Sequence, residues 1–184
     1  MSDISLPLIA LRGLVVFPGM TIQFDALRDK SINALKKAME SNQMVVFCAQ
    51  KDADKENITV SDIFKTGTIS RVKQVVKVSE KVYRVIAEGI NRAAVSEILS
   101  GSEYFTCIAS YIMDINNDEN DVEIAALCRK ARNLYIEYMD YTKKYIKSPQ
   151  AVLNITKPSA VSDVICSTLN VATDTLQKLL EETD

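Results

Sequence analysis

The chain has 184 residues and a formal net charge of −2, from 22 lysines and arginines against 24 aspartates and glutamates. Hydrophobic residues make up 47% and charged ones 25%, the balance of an ordinary globular protein, which excludes wholesale disorder. The near-neutral charge argues against a dedicated nucleic-acid binder, and the lack of histidine removes Ser-His-Asp triads, Cys-His pairs and histidine metal sites from these residues.

Ile4 to Leu11 is an apolar run broken by Pro7, which suits an edge or entry strand. Phe17-Pro18-Gly19 punctuates a turn, and Met20 to Asp25 reads as a second short strand. Ile32, Leu35, Ala38 and Met39 give helical spacing over residues 30–41, with Asp29 or Ser31 as N-cap. Met44 to Ala49 is a continuous apolar run of buried-strand type, and the polar stretch Lys51 to Asp62 reads as an exposed loop. Thr66 to Val78 and Lys81 to Glu88 flank a turn at Ser79-Glu80 and predict a hairpin, with imperfect alternation that implies a bulge or two-sided burial. Ala93 to Leu99 and Tyr104 to Met113 predict a further pair around Gly101. About six strands with one helix predict a small antiparallel barrel over residues 1–116.

From residue 117 to 184 the period is helical. At 100° per residue, Ile124, Leu127, Cys128, Ala131, Leu134, Tyr135, Tyr138, Met139, Tyr141, Tyr145 and Ile146 share one arc of a helix over 122–146. Its tyrosine stripe predicts packing against later helices or the barrel, the alternative being an adhesive surface. Pro149 and Pro158 bracket a connector, followed by a helix over Ser159–Leu169 and a shorter one over Thr173–Glu182. The fold class is thus α+β, a small barrel followed by a helical bundle.

The five glycines include no phosphate-loop spacing, so nucleotide hydrolysis of that kind is excluded from these residues. Ser70-Arg71-Val72-Lys73 matches the S-x-x-K of some acyl enzymes, but on a strand its Ser and Lys point to opposite faces, so it reads as coincidence. The acidic Asp118, Glu119 and Asp121 read as solvation and helix capping rather than a cation site. Cys48, Cys107, Cys128 and Cys166 stand singly among apolar neighbours, as reduced, buried thiols would. No run approaches a membrane span, and the N-terminus has no signal-peptide pattern, which together point to the cytoplasm. Residues 13–20 are more apolar than a surface loop should be, so they either tuck into the core or form an exposed patch that grips partners.

Leu6-Pro7-Leu8-Ile9-Ala10-Leu11-Arg12, followed by Val15-Val16-Phe17-Pro18-Gly19, resembles the opening of the N-terminal domain of Lon, the ATP-dependent protease. The likeness continues in order through Lys30-Ser31-Ile32, Ala49-Gln50-Lys51-Asp52, Gly67-Thr68-Ile69 and the turn-like Glu88-Gly89-Ile90-Asn91-Arg92. It ends in Pro158-Ser159 with Asp163 and in Gln177-Lys178-Leu179-Leu180-Glu181. The resemblance implies a six-stranded PUA-like barrel and a helical part that together recognise substrate and support assembly, with no catalytic residue, metal or cofactor of their own. ATP and Mg would belong to the remainder of the protease. Implied partners are unfolded or tagged proteins and the other subunits of a homo-hexamer, with no membrane and no nucleic acid. The expected contact residues are Leu14, Val15, Phe17 and Met20. The chain ends in helical register, which fits a fragment cut before a long helix; the alternative is a free-standing adaptor or ligand-binding module.

Overall fold

The computed structural model describes residues 3–115, 118, 120–142 and 152–184. Two strands, β1 (Ile4–Leu11) and β3 (Met44–Gln50), explain their own apolar runs, because both are covered on both faces. Ile9 and Leu11, with Val45 and Phe47, face a core shared with helix α1 (Asp29–Met39); Leu8 and Ala10, with Val46 and Cys48, face the interior of the sheet. The two strands run parallel, Leu8 opposite Val46 and Ala10 opposite Cys48, and two-sided burial is the usual condition of parallel pairs. This corrects the expectation of an all-antiparallel sheet. It also corrects the reading of β1 as an edge, since β6 (Phe105–Tyr111) pairs along its other side. Pro7 is tolerated because the register with β3 begins only at Leu8.

The six strands lie in the order β2-β5-β4-β3-β1-β6, and β5 also pairs with β6. Five strands therefore close a cycle, while β2 (Thr21–Ala26) lies outside it on the first half of β5. The sheet is mixed, and it is not the clean six-stranded barrel of the sequence reading. The hairpin expected at Ser79-Glu80 is present between β4 (Ile63–Ser79) and β5 (Val82–Ser100), with three register shifts that account for the imperfect alternation.

β5 merges two stretches that read as separate strands. It pairs with β2 over Tyr83–Glu88 and with β6 over Ala93–Ser100, and β4 accompanies it from Val82 to Ala94. Gly89, which reads as a turn glycine in sequence, sits inside this strand. A Cβ there would stand 2.3 Å from the Phe17 carbonyl oxygen, so the residue is needed for close backbone approach rather than for chain reversal.

Among the described residues three helices follow: α2 (Val122–Thr142), α3 (Pro158–Cys166) and α4 (Thr173–Glu181). Tyr135 and Met139 of α2 pack with Val152 and with Val161 of α3. Among the described residues the apolar arc of α2 is wider than its partners cover: Leu127, Leu134 and Tyr141 are 60%, 54% and 90% exposed. Glu119, Tyr145, Ile146 and Pro149 lie outside the described residues. Asp121 caps α2, its Oδ1 accepting from the backbone N–H of Glu123 and Ile124 at 2.8 and 3.0 Å.

Candidate functional site

Three places bear on function: the apolar loop after β1, a cleft beside it, and a larger cleft between the sheet and the helices. The loop belongs to the core. Gly13 and Gly19 adopt left-handed φ of 60° and 72°, turning the chain back so that Val15, Val16 and Phe17 point inward. Gly19 N–H donates to Gly89 O and Gly89 N–H to Met20 O, both at 2.9 Å, fastening the loop to β5. The Thr68 hydroxyl donates to the Val16 carbonyl from β4. Val15 and Phe17 pack with Ala49 of β3 and Leu180 of α4, with Met20, Leu176 and Leu179 half-buried around them.

Of the four expected contact residues, Val15 and Phe17 therefore lie in the core. They are 3% and 0% exposed, and their apolar character is explained by the helix that covers them. Met20 is half-buried against the same cluster. Leu14 is half-buried too, but it lines an open cleft of about 350 Å³ with Phe24, Leu27, Arg12 and Arg28. The Arg28 guanidinium donates to the Gln50 side chain at 2.9 Å and to the Lys55 carbonyl at 3.1 Å. Partial burial, and secondarily the charge of Arg12, push it below the usual arginine range.

A second cleft, about 570 Å³, lies where the end of the sheet meets α2, α3 and the segment after α4. Its inner end is Arg92, a buried arginine on β5. The guanidinium donates to both carboxylate oxygens of Asp163 on α3, at 3.1 and 2.5 Å, to Asp114 at 3.3 Å, and through Nε to the carbonyl of Leu180 on α4 at 3.1 Å. One side chain of the sheet thus fixes two helices and the strand connector. The planar fork of arginine is suited to this, because its donors diverge at fixed angles. Burial pushes the Asp163 carboxyl up to about 6; Arg92 draws it back and Asp114 adds to the rise. A second tie joins Gln177 Nε2 to the Thr66 carbonyl at 3.0 Å.

No local sequence pattern marks Arg92, Asp163 or the cleft itself. The excess width of the α2 arc was the available signal, since apolar positions beyond what one neighbour covers remain at a surface. Ser70 is buried and donates to the Thr68 carbonyl at 3.1 Å, while Lys73 pairs with Glu88 at the surface at 2.7 Å. The S-x-x-K residues are therefore not brought together. Cys48 and Cys107 are buried thiols, and burial raises Cys107 to about 12 and Cys48 further still. Cys128 and Cys166 are half-buried. Among the described residues, no helix is long and apolar enough to cross a membrane.

Residues 5–184 match the family described as the ATP-dependent protease La (LON) substrate-binding domain. Among relatives, the Lon protease of Halothermothrix orenii is 38% identical over 179 residues, 97% of this chain and 23% of its own length. Lon protease 1 of Bacillus subtilis is 32% identical over 98% of this chain and 23% of its own, and the Escherichia coli Lon protease 31% over the same shares. The chain thus spans less than a quarter of the length of these relatives. The solved N-terminal domain of the Mycobacterium avium complex Lon protease shares its fold, with a TM-score of 0.78 at 20% identity over 98% of this chain and 91% of that one. A Lon N-terminal domain protein from Xanthomonas campestris gives 0.69 at 17% identity, over 98% of this chain and 92% of that one. With its match running from residue 5 to residue 184, the chain belongs to the LON substrate-binding domain family.

Proposed function

We propose that this chain is the non-catalytic recognition end of an ATP-dependent serine protease, where it holds unfolded or tagged polypeptides for an attached ATPase and protease. The observation that carries the reading is the family match over residues 5–184, joined to relatives that are themselves named Lon proteases and are more than four times as long. On this reading ATP and Mg act in the remainder of the protein, and the whole works in the cytoplasm. The cycle of five paired strands with α1 packed on it supports a PUA-like description of residues 1–116, and the helices of 117–184 form the second part. Individual contacts to unfolded chains would be weak, and a homo-hexamer would multiply them, because linked sites raise the effective concentration of the next binding event.

The direct test is fluorescence anisotropy of a labelled, reduced and carboxymethylated protein against the purified chain. Saturable binding that the native, disulfide-intact protein does not compete away is expected. Equal competition by the native protein would refute substrate selection by unfoldedness. Sequencing the source gene past Asp184 tests the attached machinery: a long helix leading to a G-x-x-x-x-G-K-[ST] motif is expected, and an immediate stop codon would leave a free-standing adaptor.

A further inference from the structure

The cleft at the end of the sheet combines two features seldom left together on a surface. Its floor is apolar: Ile115 and Leu127 line it at 57% and 60% exposure, with Ile124 and Ala131 beside them. Large side chains held open in a concavity mark places where another apolar group is meant to sit. Its walls are acidic: Asp121 and Glu123 at the start of α2, Glu182 after α4, and Asp114 toward the inner end. Among the described residues the one cation lining it is Arg92, already engaged by Asp163, Asp114 and the Leu180 carbonyl. Lys157 stands at the edge, 3.8 Å from Asp114. The chain as a whole is nearly neutral, so this acidity is local rather than a general property of the surface.

We propose that this cleft takes an extended peptide segment in which apolar side chains are interspersed with lysine or arginine. The apolar groups would seat on Ile115 and Leu127, and the cations would face Glu123 and Glu182. This rests on the reading of the chain as a polypeptide-binding domain and adds where the peptide lies and what it carries. Charge complementarity chooses the occupant: an acidic segment with the same apolar content would be repelled by these walls. A stretch of leucines alone would gain the floor and nothing from the rim. Segments of the proposed kind are common at the buried-to-surface margins of folded proteins, so they become available when a fold opens.

The test uses a fluorescein-labelled peptide of leucine, lysine, serine and glycine in equal parts, a version with glutamate for lysine, and one with serine for leucine. The lysine-leucine peptide should bind about tenfold more tightly than either control, and its affinity should fall as ionic strength rises from about 0.05 to about 0.5 M, as screening of exposed charges requires. Leu127→Ser should weaken it about fivefold at all salt concentrations, on the scale of one apolar side chain lost from an open floor. The pair Glu123→Gln and Glu182→Gln should weaken it similarly at low salt and remove most of the salt dependence. All three residues are exposed, so unfolding midpoints should stay those of the parent chain.

Equal binding of the lysine and glutamate peptides would overturn the proposal, as would undiminished lysine-peptide binding by the variants. In either case polypeptide binding itself would stand and lie elsewhere. If neither the peptides nor a reduced, carboxymethylated protein binds, the functional reading falls as well. A dimer seen by sedimentation and dissolved by Leu127→Ser would assign the cleft to a second copy of the chain and overturn the proposal.

Discussion

Arg92 and Asp163 stand 71 residues apart in the chain and meet as a buried two-point ion pair, one on the sheet and one on α3. Taking two charges out of water is costly, and the pair is sustained because the remaining Arg92 donors also find Asp114 and the Leu180 carbonyl. Removing one partner leaves the other buried and uncompensated. Arg92→Ala is therefore expected to destabilise the chain by about 3–5 kcal/mol, read as a shift of the urea midpoint. Arg92→Lys should rescue little, because an ammonium cannot reproduce the fork. The double change Arg92→Met with Asp163→Leu should lie close to the parent. A double variant as unstable as Arg92→Ala would mean that the Asp114 and Leu180 contacts, not the ion pair, dominate.

Phe17 is fully enclosed beneath α4, so its truncation opens a cavity at the contact between sheet and helices. Phe17→Ser should cost about 3–5 kcal/mol, the range of large-to-small core changes, with a polar hydroxyl added to the loss. Leu14→Ser, at a half-buried position on a cleft, should cost much less. Paired urea titrations decide. A Phe17→Ser chain of parent stability would put the loop back on the surface and restore it as a contact element.

Two glycines separate steric from conformational need. At Gly89 an added Cβ would meet backbone, 2.3 Å from the Phe17 carbonyl oxygen, whereas at Gly19 nothing lies within 4 Å but φ is +72°. Gly89→Ala should cost about 3 kcal/mol or more, or prevent folding, as overpacking against immobile atoms does. Gly19→Ala should cost only about 1–2 kcal/mol, the strain of a left-handed alanine. Thermal melts of the two variants give the comparison, and equal losses would contradict it.

The loop between β3 and β4 should open in acid. Asp62 accepts from Lys55 at 2.7 Å and from the Thr59 backbone and hydroxyl at 2.7 and 2.8 Å. These contacts, led by Lys55, hold its carboxyl at about 2, below the ordinary 3.8. A value depressed in the folded state contributes stability that is complete above about pH 4 and is lost as pH falls toward 2. Exchange protection of the Lys51 amide, which donates to the Asp62 carbonyl, should decline through that window. Asp62→Asn should begin with lower protection and show a flatter pH profile; an unchanged profile would refute the assignment.

What could be read from sequence here follows from what local physics encodes. The continuous apolar runs of β1 and β3 were legible as strands because two-sided burial leaves no polar alternation. Their parallel direction was not, since nothing in Leu8 or Val46 records which way a partner runs. Gly89 looked like a turn because its need arises from the Phe17 carbonyl, 72 positions earlier in the numbering, and close approach leaves no local trace. The α2 helix was plain from its period, but the arc that included Leu127 and Leu134 overstated its buried face. Arg92 and Asp163 both fall in stretches that resemble the family, yet their meeting is a tertiary fact. The apolar character of the loop is plain in the sequence, and its cause at Val15 and Phe17 is the cover that Leu180 supplies.

The pairing of Ile4 with Ala109 and the cover of Phe17 by Leu180 set an order of events during synthesis. The first strand cannot take its place beside β6 until residues beyond 109 have left the ribosome, and the hydrophobic loop behind it waits for residue 180. Until residue 180 emerges, Val15 and Phe17 lack the cover they have in the folded domain, and an apolar segment stands open to solvent.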